Sequence, residues 1–441
     1  MKRALTIAAL FLVACSGSAS NGGGGGGTAT GGGGASTGGG AATGGGAATG
    51  GGAATGGGAA TGGGAATGGG AATGGGAATG GGAATGGGAA TGGGAASGGG
   101  SATGGGAPTT PPTIFVGSGN GTITVYAFNS TTGALSKTGS LTGNGNPSYL
   151  AIAPAKDRIY AVDENGSKVN AFALASDGGL TKLNSQSSTG SGPAHLSVDP
   201  TGKWVLSSNY GSGDIGVLPV TDAGVGAAVF TTNAGMNAHQ IQTDSSGAHV
   251  FVPCLGSDYV ALYDLAPATG QLTAHAPANV ATDAGAGPRH LALHPNGAYA
   301  YLVNETDSTI TAFSLSGGTL TPLQNQSTLD PNFTGNNTCA HVLVHPSGAF
   351  VFSSNRGEDT IVSWAIQSDG TLQLIGRAPT GAPTPRDFTL TPDGRWLLVG
   401  NQTSNSVQVF AVDTDAGTLT AAGSPVTVNG PAFVGAWSLG P

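Results

Sequence analysis

Charge is scarce in this 441-residue chain: Asp, Glu, Lys and Arg together make up 8% of it. With 13 basic against 21 acidic residues and no basic stripe, nucleic acid is excluded as a partner. Only three Cys are present, too few for a disulfide framework, and a bridge between Cys254 and Cys339 is not readable from spacing. Helical periodicity is absent over any useful window, which excludes a helical bundle. The one long apolar run, residues 4–14, is too short to span a bilayer as a stable anchor.

Glycine, by contrast, is abundant, at 87 residues, and much of it is concentrated N-terminally. From about Gly38 to Ala96 the hexapeptide Gly-Gly-Gly-Ala-Ala-Thr repeats almost without error. Having no large side chain to bury, residues 16–112 read as a flexible linker. Residues 1–15 read as a signal: Lys2 and Arg3, the apolar run, then Leu12-Val13-Ala14-Cys15. That tetrapeptide resembles a bacterial lipobox, which implies lipidation at Cys15. The chain is then a lipoprotein held to the membrane by its lipid alone, and Ser16 suits the outer membrane. The other reading is an ordinary secretory signal with an incidental Cys.

Residues 113–441 are a different kind of sequence. Six copies of one phrase begin at Ser148, Ala194, Ala238, Arg289, Ala340 and Arg386. Each reads as strand, Pro-x-Gly-type turn, strand, polar turn, strand, and a more polar fourth stretch separates the copies. Four strands at a period of about 44 to 51 residues is the signature of a propeller blade. Three strands within residues 114–141 and one at residues 433–439 supply a seventh blade that closes the ring. The prediction is an all-β, seven-bladed β-propeller.

Aligning the copies separates what the blade template needs from what single blades have changed. The first-strand slot, six residues before the turn Pro, holds Ser148, Ala194, His239, Arg289, Ala340 and Arg386. The position after the second strand holds Glu164, Tyr210, Leu255, Glu305, Arg356 and Gln402. Three of the domain's six Arg and two of its three Glu fall in these positions, on one face near the central channel. A charged cluster in a chain so poor in charge marks a candidate site. Asn209 and Asn355 fill a position that is Asx in five blades, which suits a turn-capping role as well as substrate contact. His195, His290 and His341 share the position five before Pro. His294 and His345 precede the turn Pro in the register of Asp199, as template residues do. No His, Asp or Glu cluster shows metal-ligand spacing along the chain, although ligands from separate blades can converge. Neither metal nor cofactor is expected.

At these residues the chain resembles the seven-bladed lactonase propellers, a family that includes bacterial 6-phosphogluconolactonase and fungal 3-carboxy-cis,cis-muconate lactonizing enzyme. The phrases are Asn146-Pro147-Ser148-Tyr149-Leu150, Ser208-Asn209-Tyr210-Gly211, Gly287-Pro288-Arg289-His290-Leu291, Asn304-Glu305, Ser354-Asn355-Arg356-Gly357 and Pro385-Arg386-Asp387-Phe388. The resemblance implies catalytic roles for His239, Arg289, Glu305 and Arg356, the four that the slots also single out. Arg386, His195, Asn209 and Asn355 are then substrate-binding. Departures stand at Cys254, His341 and Glu358, where the family often has Asp, Glu and His. The implied activity is hydrolysis of a sugar-acid or other carboxylated lactone by a monomer, with Glu305 or His239 as base. Two alternatives remain: a cycloisomerase running lactonization, and a non-catalytic surface propeller that binds glycan or protein. A binder would show aromatics at the mouth, and only Tyr210 is found in the slots.

Overall fold

The structure is a computed structural model that describes residues 111–439 and, N-terminal to them, three Ala-Thr dipeptides. Ala42–Thr43, Ala60–Thr61 and Ala78–Thr79 pair in parallel register. The signal at residues 1–15, the lipidation at Cys15 and the rest of the linker lie outside the described residues. The chain divides into two units, one ending at Gly106 and the other beginning at Ala107.

The second unit is a ring of seven antiparallel four-stranded sheets, as the repeat predicts. Blade 1 takes its innermost strand from the C-terminal end, where Pro431–Trp437 pairs with Thr113–Ser118. That strand begins and ends two residues before the expected 433–439. Blades 2 to 7 then follow in sequence, each running from the channel outward. Blade 3 carries an extra two-residue strand, Gly224–Val225. In blade 4 the innermost strand shrinks to Gln242–Thr243.

The Pro-x-Gly turns are a backbone requirement. Gly202, Gly247, Gly297, Gly348 and Gly394 all have φ between 71° and 73°, the left-handed region that a Cβ disfavours. His294 and His345 do belong to the template. Their Nε2 atoms contact the carbonyl oxygens of Gly348 (2.9 Å) and Gly394 (3.1 Å), each in the corresponding turn of the next blade.

Seven apolar clusters fill the ring, one between each pair of neighbouring blades. Between blades 1 and 2, for example, Phe115, Ile123, Ile159, Phe172 and Phe433 pack together. Each such fully buried side chain contributes about 1.5–3 kcal/mol. A stiff ring of this kind holds loop and strand-end residues from different blades at fixed separations.

Candidate active site

The slot residues come together. Arg289 is the second residue of the inner strand of blade 5, Glu305 follows that blade's second strand, and Arg356 ends the second strand of blade 6. Glu305 bridges both arginines: Oε2 lies 2.7 Å from Arg289 Nε, and Oε1 lies 2.8 Å from Arg356 Nη2. The Arg289 contact is close but off the N–H direction, so it is an ion pair rather than an aligned hydrogen bond. Backbone carbonyls complete the hold. Arg289 Nη1 donates to Ala340 O, and Arg356 Nη2 donates to Cys339 O at 2.9 Å. Glu305 O in turn accepts from Cys339 N at 3.1 Å, tying blade 5 to blade 6.

Arg289 is 2% exposed. Burial, then the nearby Arg356 charge, pulls its pKa down to about 9, which leaves it cationic at neutral pH. Arg386 is also lowered, by burial first and then by Arg356. Among the described residues it makes no ion pair within 4.0 Å; its acidic neighbours Glu164 and Glu305 act on it from further away.

His239 is buried, and its Nδ1 has no hydrogen-bond partner among the described residues. Burial, then the charges of Arg289, Arg386 and Arg356, holds it well below the ordinary imidazole value. It is therefore neutral and able to accept a proton. Its ring meets those of His290 (5.0 Å) and Tyr210 (5.5 Å) edge to face.

Behind these residues lies a ring that the sequence only half announced. The position five before Pro carries Tyr149, His195, His290, His341 and Asp387. Tyr149 stacks on His195 at 3.8 Å, and His195 Nδ1 accepts from Ile241 N at 3.4 Å. His341 Nδ1 sits 2.7 Å from His290 Nδ1 and 3.5 Å from Asp387 Oδ1. Beyond this layer, further along the channel, is a cavity of about 310 Å³ bordered by Tyr149, His195, His341, Asp387, Phe433 and Trp437. None of Arg289, Glu305 and Arg356 borders it. This cavity is thus lined by His195 and His341 and is separate from the charged mouth.

Asn209 and Asn355 serve the blades. Asn209 Nδ2 donates to Ser188 O (2.8 Å) and Asp214 O (2.9 Å). Asn355 Oδ1 accepts from Thr328 Oγ1 at 2.8 Å, and its Nδ2 donates to Glu358 Oε2 at 3.0 Å. Cys254 and Cys339 are free, buried thiols, each pushed up to about 12 by burial.

The layer has opposing effects on stability. Burial first holds His195, His239 and His290 well below the ordinary value, and His341 at about 3. The unfolded chain therefore takes up protons at these positions first, and stability is lost as pH falls below about 6.5. Asp387 works the other way, since burial pushes its carboxyl up to about 7. Its contribution is fully present below its unfolded value and is lost as pH rises through about 7. Asp387→Asn, which can still accept from Val434 N, should raise Tm over the parent, by a margin that widens from about pH 5 to about pH 8. A margin that stays flat over that range would mean that Asp387 is ionised throughout.

The family model described as "Lactonase, 7-bladed beta-propeller" matches residues 109–436. A 6-phosphogluconolactonase of Pectobacterium carotovorum is 32% identical over 299 residues, covering 67% of this chain and 89% of the relative. One from Serratia proteamaculans is 31% identical over 306 residues, covering 68% and 92%. The solved structure of a Pseudomonas aeruginosa periplasmic gluconolactonase superposes with a TM-score of 0.70 at 28% identity, covering 75% of this chain and 99% of that one. The seven-bladed ring agrees with the family model, and the chain belongs to the seven-bladed β-propeller lactonase family.

Proposed function

We propose that the domain hydrolyses a carboxylated lactone, of the sugar-acid class or a close relative, at the mouth built by His239, Arg289, Glu305 and Arg356. One observation carries this reading. Three buried polar atoms there lack hydrogen-bond partners among the described residues: the acceptor-capable Nδ1 of His239 and the donors Nε of Arg289 and Nε of Arg356, of which the Arg289 atom has an ion-pair contact with Glu305. Hydrolysis needs one of each, a base for water and a positive donor for the oxyanion.

In this reading water gives its proton to His239 Nδ1 and attacks the lactone carbonyl. The developing oxyanion is held by the Arg289 and Arg356 guanidinium groups. Collapse breaks the ring C–O bond, and the protonated His239 returns its proton to the leaving alkoxide. Glu305 is committed to both arginines, so its role is to fix and partly neutralise them. An anionic substrate also helps the base. Three arginines depress His239, and a bound carboxylate offsets their charge and raises its basicity.

Arg386 is the natural seat for that carboxylate, having no close acidic partner of its own. Arg386→Ala should raise KM for a carboxylated lactone by roughly ten- to a hundredfold, the worth of a charge-assisted hydrogen bond, with kcat little changed. A neutral lactone should show no such increase. An equal KM increase for both would remove Arg386 from carboxylate recognition.

The reading extends to location. The lipobox-like Leu12-Val13-Ala14-Cys15 and the Gly-Ala-Thr repeats suit a lipoprotein tethered at the outer membrane, acting there as a monomer. The periplasmic name of the Pseudomonas relative supports export. Cys15→Ser should leave an uncleaved or freely soluble protein in place of a lipid-anchored one; unchanged processing and fractionation would count against lipidation at this residue.

A further inference from the structure

Two of the eight histidines belong neither to the channel nor to the template. His249 opens the second strand of blade 4, and His275 lies on its fourth strand. Both turn Nδ1 toward a single oxygen, Asp264 Oδ1, at 2.9 Å and 2.8 Å. Asp264 is on the third strand, directly across from His249. The ligand atoms of the three residues all lie within 4.8 Å of one another.

The repeat shows that blade architecture does not require this trio. The cross-strand pair equivalent to His249–Asp264 is Trp204–Pro219, Tyr299–Ser314, Phe350–Ala365 or Trp396–Ala411 in other blades. In the remaining two it is Arg158–Ala173 and Thr113–Ala127. The counterparts of His275, two residues beyond the partner of that pair's small residue, include Leu183, Leu323 and Ile375. Other blades thus mostly set a bulky side chain over a small one beside an aliphatic. Blade 4 alone replaces all three positions with groups that bind metals.

We propose that His249, Asp264 and His275 form a binding site for a zinc-like divalent cation on blade 4, separate from the lactonase mouth. Two imidazole nitrogens and one carboxylate oxygen suit Zn²⁺, or Cu²⁺ and Ni²⁺, and are a poor set for Mg²⁺ or Ca²⁺. A tetrahedral zinc with bonds of about 2.0–2.1 Å holds its ligand atoms about 3.3 Å apart, so each of the two His–Asp contacts need open by only about half an ångström. The cation takes the place of the His–Asp264 contacts at Nδ1, and each neutral ring then carries its one proton on Nε2, moved there from Nδ1 where it had faced Asp264. For His275 that position is prepared: Nε2 lies 3.1 Å from Thr319 Oγ1, which can accept the bond and orient the ring. Gly318, beside Thr319, packs so closely on the His249 ring that a Cβ there would lie 2.4 Å from Nδ1. The neighbouring blade's hairpin therefore fixes both rings. Asp264, 43% exposed, leaves the site open to water for the remaining coordination position.

The test uses the full chain, stripped with EDTA and titrated with Zn²⁺ alone by calorimetry. One equivalent should bind and raise Tm, while EDTA leaves lactone hydrolysis unchanged. His249→Gln with His275→Gln should weaken binding by roughly a hundredfold or more, beyond the loss of a mere outer-shell partner. Zinc should also protect His249 and His275 of the parent protein from diethylpyrocarbonate, mapped by mass spectrometry, a measurement that needs no variant. No stoichiometric binding, or protection confined to the channel histidines, would overturn the proposal.

Discussion

His239→Gln should lower kcat for lactone hydrolysis by roughly 10²–10⁴-fold, the range for loss of a positioned general base, with KM nearly unchanged. Glutamine fills similar space and its amide can still hydrogen-bond, but it cannot take up a proton. The imidazole is suited to the role because the fold keeps it neutral: it is buried among three arginines with Nδ1 unpartnered. Glu305, the other candidate base, is less suited, since each of its oxygens lies within 2.8 Å of a guanidinium nitrogen. Steady-state kinetics on His239→Gln and Glu305→Gln separates the roles. A loss below about tenfold in His239→Gln would move the base to Glu305.

The second large effect is at the Arg–Glu–Arg bridge. Arg289→Ala should cost about 10²–10³-fold in kcat, as expected when an oxyanion partner is lost. Glu305→Gln should also cost stability, on the order of 3 kcal/mol, because it leaves two guanidinium groups without their shared counter-charge, one of them almost fully buried. From the repeat alone such variants are expected to leave stability nearly intact, since no blade template requires these residues. Burial and pairing argue the other way: a residue outside the template can still be bound into its surroundings. Thermal melts of Glu305→Gln beside the parent check this, and an unchanged Tm would mean that water already screens the pair.

Much of this was legible in the chain because a propeller repeats. Six aligned copies fixed the blade count, the closure and the mouth, and Arg289, Glu305 and Arg356 stood out as charges where the template has none. The His290–His341–Asp387 layer was harder to see. Each member occupies a shared template position, and only the curvature of the ring turns Nδ1 of His341 toward both neighbours. The His249–Asp264–His275 cluster gave no signal along the sequence. Its members lie 15 and 11 residues apart, and cross-strand register alone brings them together. The start of the C-terminal strand was misplaced by two residues for a similar reason: Pro431 opens it opposite Ser118, and a register shift follows before Phe433.

The central claim is that the charged mouth hydrolyses a lactone bearing a carboxylate. Its most direct test is a pH-stat assay of the purified protein against a panel of lactones, carboxylated and neutral, with His239→Gln as the control. The account predicts hydrolysis with a preference for the carboxylated rings of roughly tenfold or more in kcat/KM, abolished in the control. A folded protein that hydrolyses no lactone in the panel, yet binds a glycan or a protein at the same mouth, would contradict it.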